Sequence, residues 1–499
     1  MPSDAPRPRQ FQSPKGTRDF YPQDLLRRRY IEKAWRDTSI RHGFEEIEGP
    51  TFEQAELYTV KSGEGILSEM FNVFSGKDPE EVAEVQKSGR APLALRPEFT
   101  PTLARMYAAR AGQLPKPTKW FTAGPYFRAE KPQRGRLREF CQWNVDVIGG
   151  DAVNRDIEAY DADTLATCVA GLVSLGLGFN DSVVRQGDRR SAADYFIARG
   201  VRAEHVDEMF SVFDKLDRLD ANYVITRCEE LGFSLPVTLA DFVDEGTGRV
   251  VPTGLYASFR EWAAKEGADS PSMRACQVLK STGLDADHWV QPAPDVVRGL
   301  AYYTGMVFEV HEVSGQERAI CGGGRYDNLI ELFGGPPTPA VGFGMGDVVL
   351  GNLLQDKGLM PEGAALLQAL SAPSAPSAPS ASLRPDVFVI ANEKEESQKA
   401  LRPLVAKLRR GVESPEWSAK SNHKPWDADR YATPPLHARH SYKATKNIGK
   451  LLQEAGAQHA RHAAIIEDAG TCTLKNLDTR EEQKSVPLDD LGRRVAKHG

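Results

Sequence analysis

Three stretches of this chain concentrate side chains able to do chemistry on an anion. The first, LALRPEFTPTLARM over 93–106, sets the Glu98 carboxylate between an extended run and a helix start, with the Thr100 hydroxyl two residues on. Such a pair can hold an ammonium group by charge-assisted hydrogen bonds; a surface glutamate with a capping threonine would read the same way. The second, GPYFRAEKPQRGRLREFCQWNVDVIGG over 124–150, carries Arg128, Glu130, Lys131, Arg134, Arg136 and Arg138, closed by Phe140. Its central PQRG is turn-forming. Two strands joined there would bring several guanidiniums to one spot, and guanidiniums suit phosphate because they are planar, permanently charged and bidentate. Phe140 offers a flat face for a base. A solvated basic hairpin is the competing reading.

The third stretch is VVRGLAYYTGMVFEV over 296–310, followed by ICGGGRYDNL and PAVGFGMG. Arg298 precedes the paired phenols Tyr302 and Tyr303, which would equally suit the core side of a strand. Gly322 to Gly324 would let a ligand approach the backbone closely. The pattern G-x-x-x-x-G-K-[ST] is absent, and no G-x-G-x-x-G follows a strand to open a helix. A nucleotide bound here is held by some other scheme.

These residues need elements to position them. Leu26, Tyr30, Ile31, Ala34, Trp35 and Thr38 fall at helical spacing, so 24–43 reads as an amphipathic helix ended by Gly43. FEEIEGPTF, around Pro50, reads as extended, and 156–175 as a second long helix. From there to Pro294 the chain is helix-rich without obvious chemistry. GMVFEVHEV and PAVGFGMG read as strands, with the glycine-rich ICGGGRYDNL separating them. SAPSAPSAPSAS at 371–382 is a semi-stiff linker that cannot bury a core.

Beyond the linker, PDVFVIA at 385–391 reads as a buried strand and SQKALRPLVAKLRR as a helix. The polar stretch 411–435 reads as an insertion loop without order of its own. A basic helix, HSYKATKNIGKLLQEA, then leads to the strand ARHAAIIED, giving a small α/β unit. On that helix Lys443, Lys446 and Lys450 stand at i, i+3 and i+7, one face suited to a phosphate backbone. A solvated surface helix has the same pattern.

Bulk properties bound these readings. The 499 residues allow two to four domains. With 40% hydrophobic and 26% charged residues the chain is of ordinary soluble type, and no apolar run is long enough to span a membrane. The N-terminus lacks the apolar core of a secretory signal, so a cytoplasmic location is expected. The net charge of −6 argues mildly against nucleic acid, but a local basic groove can outweigh a global balance. The six cysteines form no C-x-x-C pair, which points to buried thiols rather than zinc or disulfides.

Taken in order, the stretches resemble the histidyl-tRNA synthetases, a class II aminoacyl-tRNA synthetase family, from KGTRDFYP (15–22) to VPLDDL (486–491). FRAEKPQRGRLREF looks like the class motif 2, RGLAYYTG and GGGRYDNL like the histidine-specific signatures, and the helix at 24–43 with the Pro50 strand like motif 1. The resemblance implies an α+β fold: a catalytic domain with an antiparallel sheet, a helical insertion, and a C-terminal α/β anticodon-binding domain. The boundaries follow: an N-terminal extension 1–14, catalytic parts 15–175 and 295–365, the insertion 176–294, a linker 366–384, and the C-terminal domain 385–499 with its own insertion at 411–435.

It also implies an enzyme that activates L-histidine with ATP and Mg2+ and transfers it to tRNA(His), working as a cytoplasmic homodimer with no metal site of its own. By the same resemblance Glu98, Phe99 and Thr100 receive the histidine amino group, Gln142 contacts the amino acid, and Asp146, Tyr302 and Tyr303 form the imidazole pocket. Arg128 and the catalytic Arg298 meet the α-phosphate. Glu130 lies near the adenine amino group, Phe140 stacks on the ring, and Arg136 approaches the outer phosphates. Gln133 matches a position that reads the extra 5′ guanosine of histidine tRNA in bacterial members, and Lys443, Lys446 and Lys450 belong to the tRNA-binding end.

Two departures stand out. Where motif 3 carries an arginine after GFGMG this chain has Val349, which puts the γ-phosphate contact in doubt; Arg136 is the candidate substitute. Ala301 stands where many relatives have Asp. The competing assignment is a histidine-sensing regulatory paralogue, such as the regulatory subunit of an ATP phosphoribosyltransferase. Arg128, Arg298 and the complete C-terminal unit argue against it.

Overall fold

The computed structural model describes residues 11–497 apart from 63–68, 150–156, 215, 217–218, 236–252, 267–270, 294–295, 299–301, 316, 372–380, 428 and 443–446. The chain enters through helix α1 (Pro22–Arg41), which has proline in its first turn and ends before Gly43, whose φ of 80° is left-handed. A short strand β1 (Glu45–Glu46) follows, then helix α2 (Thr100–Ala108), strands β2 (Thr118–Phe127) and β3 (Glu139–Ile148), and helix α3 (Ile157–Ser174). Strands β4 (Ser182–Asp188), β5 (Val290–Pro292), β6 (Met306–Glu312), β7 (Cys321–Arg325) and β8 (Ala340–Gly346) complete one eight-stranded sheet in the order β1-β2-β3-β8-β7-β6-β4-β5. Pairing is antiparallel from β2 to β4 and parallel at the two edges. Helix α4 (Asp347–Asp356) continues directly from β8.

Strands expose alternate residues to opposite faces, and this sheet uses the two faces differently. Trp143, Val145 and Val147 of β3, Val341, Phe343 and Met345 of β8, and Phe308 and Val310 of β6 join one core with α1 and α3. At its centre Trp143 stacks on Trp35 of α1, centroids 6.0 Å apart, and donates its indole N–H to Ser39 at 2.8 Å. Gly171 of α3 is needed there, because a Cβ would overlap the Trp143 ring. The other face carries α2 and the candidate site.

Between β4 and β5 the helices Arg189–Ala198, Val206–Phe213, Ala221–Glu230 and Thr253–Glu266 gather around a separate aromatic cluster of Tyr195, Phe196, Phe210, Phe213, Phe233 and Phe259. This helical unit begins later than the expected boundary at 176. Ser182–Asp188 and Val290–Pro292 are sheet strands, and the helix Pro271–Ser281 packs on α3.

After the linker, helices α5 (Glu395–Arg410), α6 (Ile448–Ala457) and α7 (Leu488–Lys497) accompany five strands, β9 (Val387–Ala391), β10 (Ala438–His440), β11 (His462–Ile466), β12 (Thr471–Asn476) and β13 (Glu482–Pro487). Their order is β10-β9-β11-β12-β13, parallel in the first three and antiparallel thereafter.

Three sequence expectations change. Cys321–Arg325, read as a glycine-rich separator, is a buried central strand. The stretch 411–435 is folded rather than a loose loop: Val412–Glu413 pairs with Tyr431–Thr433, Ser414 caps a helical turn at Pro415–Ser418, and Trp417 is buried. The basic helix begins only at Ile448, behind the Asn447 cap, so Lys450 lies on it while Lys443 and Lys446 fall outside the described residues. No helix among the described residues is long and apolar enough to cross a membrane.

Candidate active site

On the α2 face, β3 presents Gln142, Asn144 and Asp146, and its neighbour β8 presents only glycines opposite them: Gly346 pairs with Gln142, Gly344 with Asn144 and Gly342 with Asp146. A Cβ on Gly342 would overlap the Asp146 carboxylate, and one on Gly344 the Gln142 amide. On β7 a Cβ at Gly322 would overlap the Arg298 guanidinium, and one at Gly324 would lie 2.9 Å from the Tyr303 ring. The glycine floor therefore makes room for the protein's own functional side chains. This corrects the reading in which the glycines themselves admit a ligand to the backbone.

Glu98 is buried at the start of α2 and accepts a hydrogen bond from the Tyr302 hydroxyl at 2.8 Å through one carboxylate oxygen. The other oxygen, equally buried, has no partner. Burial raises the acid above its ordinary range, while Tyr302, Arg128 and Arg298 pull it back. Arg128 is anchored next to it, on the Pro97 carbonyl, and both guanidiniums act on the Glu98 carboxylate through space although they lie 170 positions apart in sequence. Phe99, at the cap of α2, is turned away: its ring is fully buried, edge-on to Tyr126 at 6.5 Å, and offers no surface to a ligand.

Arg298 has φ 56°, a left-handed backbone that a non-glycine residue rarely adopts and that concentrates at functional sites. Its guanidinium donates to Glu309 at 2.5 Å, and Glu309 also contacts His311 at 2.9 Å. Burial would raise the Glu309 acid, but His311 and Arg298 outweigh it and hold it at about 2. The Arg298 Nε is buried without a partner. Beside it, burial lifts the Tyr303 phenol to about 12 against the pull of Arg298.

Arg128 is held where β2 ends. Its Nε donates to the Pro97 carbonyl at 3.1 Å and its guanidinium lies 5.3 Å from the Phe140 ring centroid. The support behind it is Arg96, fully buried, which donates to Pro125 and Gly49 carbonyls, each at 2.9 Å, and sits over Tyr126. Glu130 and Arg136 contact each other at 3.0 Å, and Gln133 is exposed at the tip of the turn. The turn folds over Val349, which is buried: a Cβ on Gly135 would lie 3.1 Å from it. Lys450 stands apart on the C-terminal unit.

A second buried polar pair is Asp146 with Tyr326, whose hydroxyl donates to the carboxylate at 2.5 Å. Burial raises Asp146 to about 7, only partly offset by that bond. Tyr302 lies 4.9 Å from Tyr303 and 5.9 Å from Tyr326, centroid to centroid, so three phenols cluster with the buried carboxylates of Glu98 and Asp146 that two of them hold. Sequence reasoning missed Tyr326, Glu309 and Arg96. The alternation in FEVHE, apolar residues answered by polar ones at every second place, is the signal that would have found Glu309; Tyr326 follows three glycines that carry no such pattern.

The arrangement can hold an ammonium at Glu98, an anion between Arg128 and Arg298, and a small polar ring near Asp146. The family model for histidyl-tRNA synthetase matches residues 16–346. A histidine–tRNA ligase from Opitutus terrae is 37% identical over 357 residues, spanning 70% of this chain and 76% of that one. A chloroplastic/mitochondrial histidine–tRNA ligase from Arabidopsis thaliana is 32% identical over 349 residues, 70% of this chain and 67% of its own. The crystal structure of a histidyl-tRNA synthetase from Nostoc sp. PCC 7120 superposes with a TM-score of 0.53 at 20% identity, covering 98% of this chain and 100% of that one, a likeness of fold.

Proposed function

The chain belongs to the histidyl-tRNA synthetase family and joins histidine to tRNA(His), and we propose that the pocket face just described carries out the chemistry. The observation that carries this reading is the buried, half-satisfied carboxylate of Glu98, bonded by Tyr302 through one oxygen and acted on through space by Arg128 and Arg298. Histidine enters with its ammonium on the unpartnered Glu98 oxygen and its ring toward Asp146 and Tyr303. The Gln142 carbonyl oxygen, also buried without a partner, supplies a further acceptor.

In the first step an oxygen of the histidine carboxylate attacks the α-phosphorus of ATP, and pyrophosphate leaves with the electrons of the broken P–O bond. Both reactants are anions, so the cations Arg128 and Arg298 reduce their repulsion and stabilise the charge that grows in the transition state. No general base is required, since the attacking carboxylate is already ionised at neutral pH. ATP brings Mg2+ on its phosphates. In the second step a ribose hydroxyl at the tRNA 3′ end attacks the adenylate carbonyl and AMP leaves.

Specificity rests on a hydrogen-bonding recess. A site built from Asp146, Tyr303 and Tyr326 leaves buried polar groups unpaired when the substrate lacks matching ones, which penalises apolar amino acids heavily. The C-terminal unit takes the tRNA, with exposed Lys450 contributing to the phosphate contact and Gln133 near the acceptor end. Two copies pair through α1 and the short strand Phe52–Gln54, on which Phe52 is half exposed. The outer phosphates of ATP meet the turn at Arg136, freed from Glu130.

The test is exchange of labelled pyrophosphate into ATP. Exchange that requires histidine, and is not supported by other amino acids, is expected; exchange absent in a folded protein that still binds histidine would turn the assignment toward a histidine sensor.

A further inference from the structure

Helix α3 touches both halves of the molecule. At Asp161 it faces the pocket sheet: this fully buried carboxylate takes Arg325 at 2.5 Å, and the next residue, Tyr326, holds Asp146. Two residues on, Asp163 faces the C-terminal unit. One of its oxygens accepts from Lys119 of β2 at 2.5 Å and from the Tyr442 hydroxyl at 2.6 Å; the other accepts from Arg409 of α5 at 2.9 Å. Lys119 also donates to the His42 carbonyl at 2.7 Å, and Arg409 to the Ala438 carbonyl at 2.9 Å. One carboxylate therefore ties two cations and a phenol from three separate parts of the chain.

The seam around this cluster is not filled. A cavity of about 400 Å³ opens between Ala162, Ala166 and Val169 of α3 and Val405 of α5. On its far side the folded 411–435 segment makes a second attachment, with Arg430 donating to the Val173 carbonyl at 3.2 Å and Pro425 packed on Gly176. A close-packed seam would take its geometry from shape alone; a seam with such a void takes it from its fixed contacts. A buried ion cluster adds little net stability over an apolar filling, but it defines one arrangement, because a lost partner leaves charge in a dry place.

We infer that Asp163 is a positioning residue for the transfer step: it fixes the C-terminal unit against the catalytic sheet so that tRNA held by that unit presents its 3′ end at the pocket. This rests on the proposed tRNA role of the C-terminal unit. Asp163 itself has no contact with the pocket residues, so forming the adenylate does not depend on it.

The experiment uses the full chain with Asp163→Asn and, as a milder change, Tyr442→Phe. Histidine-dependent ATP–pyrophosphate exchange stays within about twofold of the parent in both, while kcat/KM for tRNA charging falls about tenfold or more in D163N and about threefold in Y442F, reflecting loss of a charge cluster and of a single hydrogen bond. Amide hydrogen exchange in α5 and β10 rises in parallel with the charging defect. Unchanged charging in both variants overturns the inference, and so does an equal fall of exchange and charging in Y442F, which would mark a general folding effect. A parent protein that shows no histidine-dependent exchange overturns the functional assignment instead.

Discussion

The two faces of the eight-stranded sheet are written in alternate residues of the same strands, and they are built to opposite ends. Toward α1 and α3, Trp143, Val145, Phe308, Phe343 and Met345 interlock as a dry core. Toward α2, the intervening positions carry Gln142, Asp146, Glu309 and the glycines Gly322, Gly324, Gly342, Gly344 and Gly346. That second face keeps unmet polar atoms, on Glu98, Gln142 and Arg298, and a left-handed backbone at Arg298. Each such feature costs stability. The pair of faces shows how one sheet can separate two tasks: one side holds the fold, and the other keeps polar groups unmet, as the proposed substrate site requires.

The largest effects should divide cleanly between the faces. Trp143→Ala removes the centre of the dry face and should cost about 3–5 kcal/mol of stability, read from the shift in urea midpoint, with little change in exchange activity per folded molecule. Arg298→Ala should do the reverse, lowering the kcat/KM of histidine-dependent exchange by roughly 10²–10³-fold, as the loss of one transition-state cation does. Its stability cost should be smaller than that of Trp143→Ala, because Glu309 keeps His311 at 2.9 Å. If Arg298→Ala proved the more destabilising of the two and left exchange intact, the division between faces would not hold.

A subtler change tests the glycine floor. In Gly342→Ala the new methyl would overlap the Asp146 carboxylate and displace it. The KM for histidine should rise about tenfold, the size of a lost buried hydrogen bond, with the KM for ATP nearly constant. An equal rise in both would mean that the sheet had shifted as a whole.

How far the sequence disclosed these faces depended on what each residue type signals. The spacing of Leu26, Tyr30, Ile31 and Trp35 marked α1 to within two residues at each end, because an amphipathic stripe reflects local geometry. Arg128, Arg298, Glu98 and the tyrosine pair stood out only as an ordered set, since each alone also fits a structural role. Cys321–Arg325 was not legible as a strand: three consecutive glycines carry no propensity for one, and only their neighbours β6 and β8 impose it. Tyr326 was lost with it. The order in 411–435 was hidden for a related reason, as Pro425 and Trp426 pack on residues of the catalytic half far away in sequence rather than on a core of their own.

The smallest effect concerns the proton on Asp146. Its folded-state pKa is raised from 3.8 to about 7 by burial, so between those values the folded protein keeps a proton that the unfolded chain has released. Stability contributed by this group is fully present below about pH 4 and declines as pH rises, until the folded carboxyl also ionises near 7; above that the loss is constant. In Asp146→Asn the decline has no source, so the difference in urea midpoint between the variant and the parent should grow in the variant's favour from pH 4 to 7 and then level off. Asp161, raised by burial to about 6, titrates in both proteins and cancels in that difference. Saturating histidine should shrink the difference, because a ring N–H donated to Asp146 favours the ionised form that the empty recess resists. A difference independent of pH would place Asp146 in water and take the recess away with it.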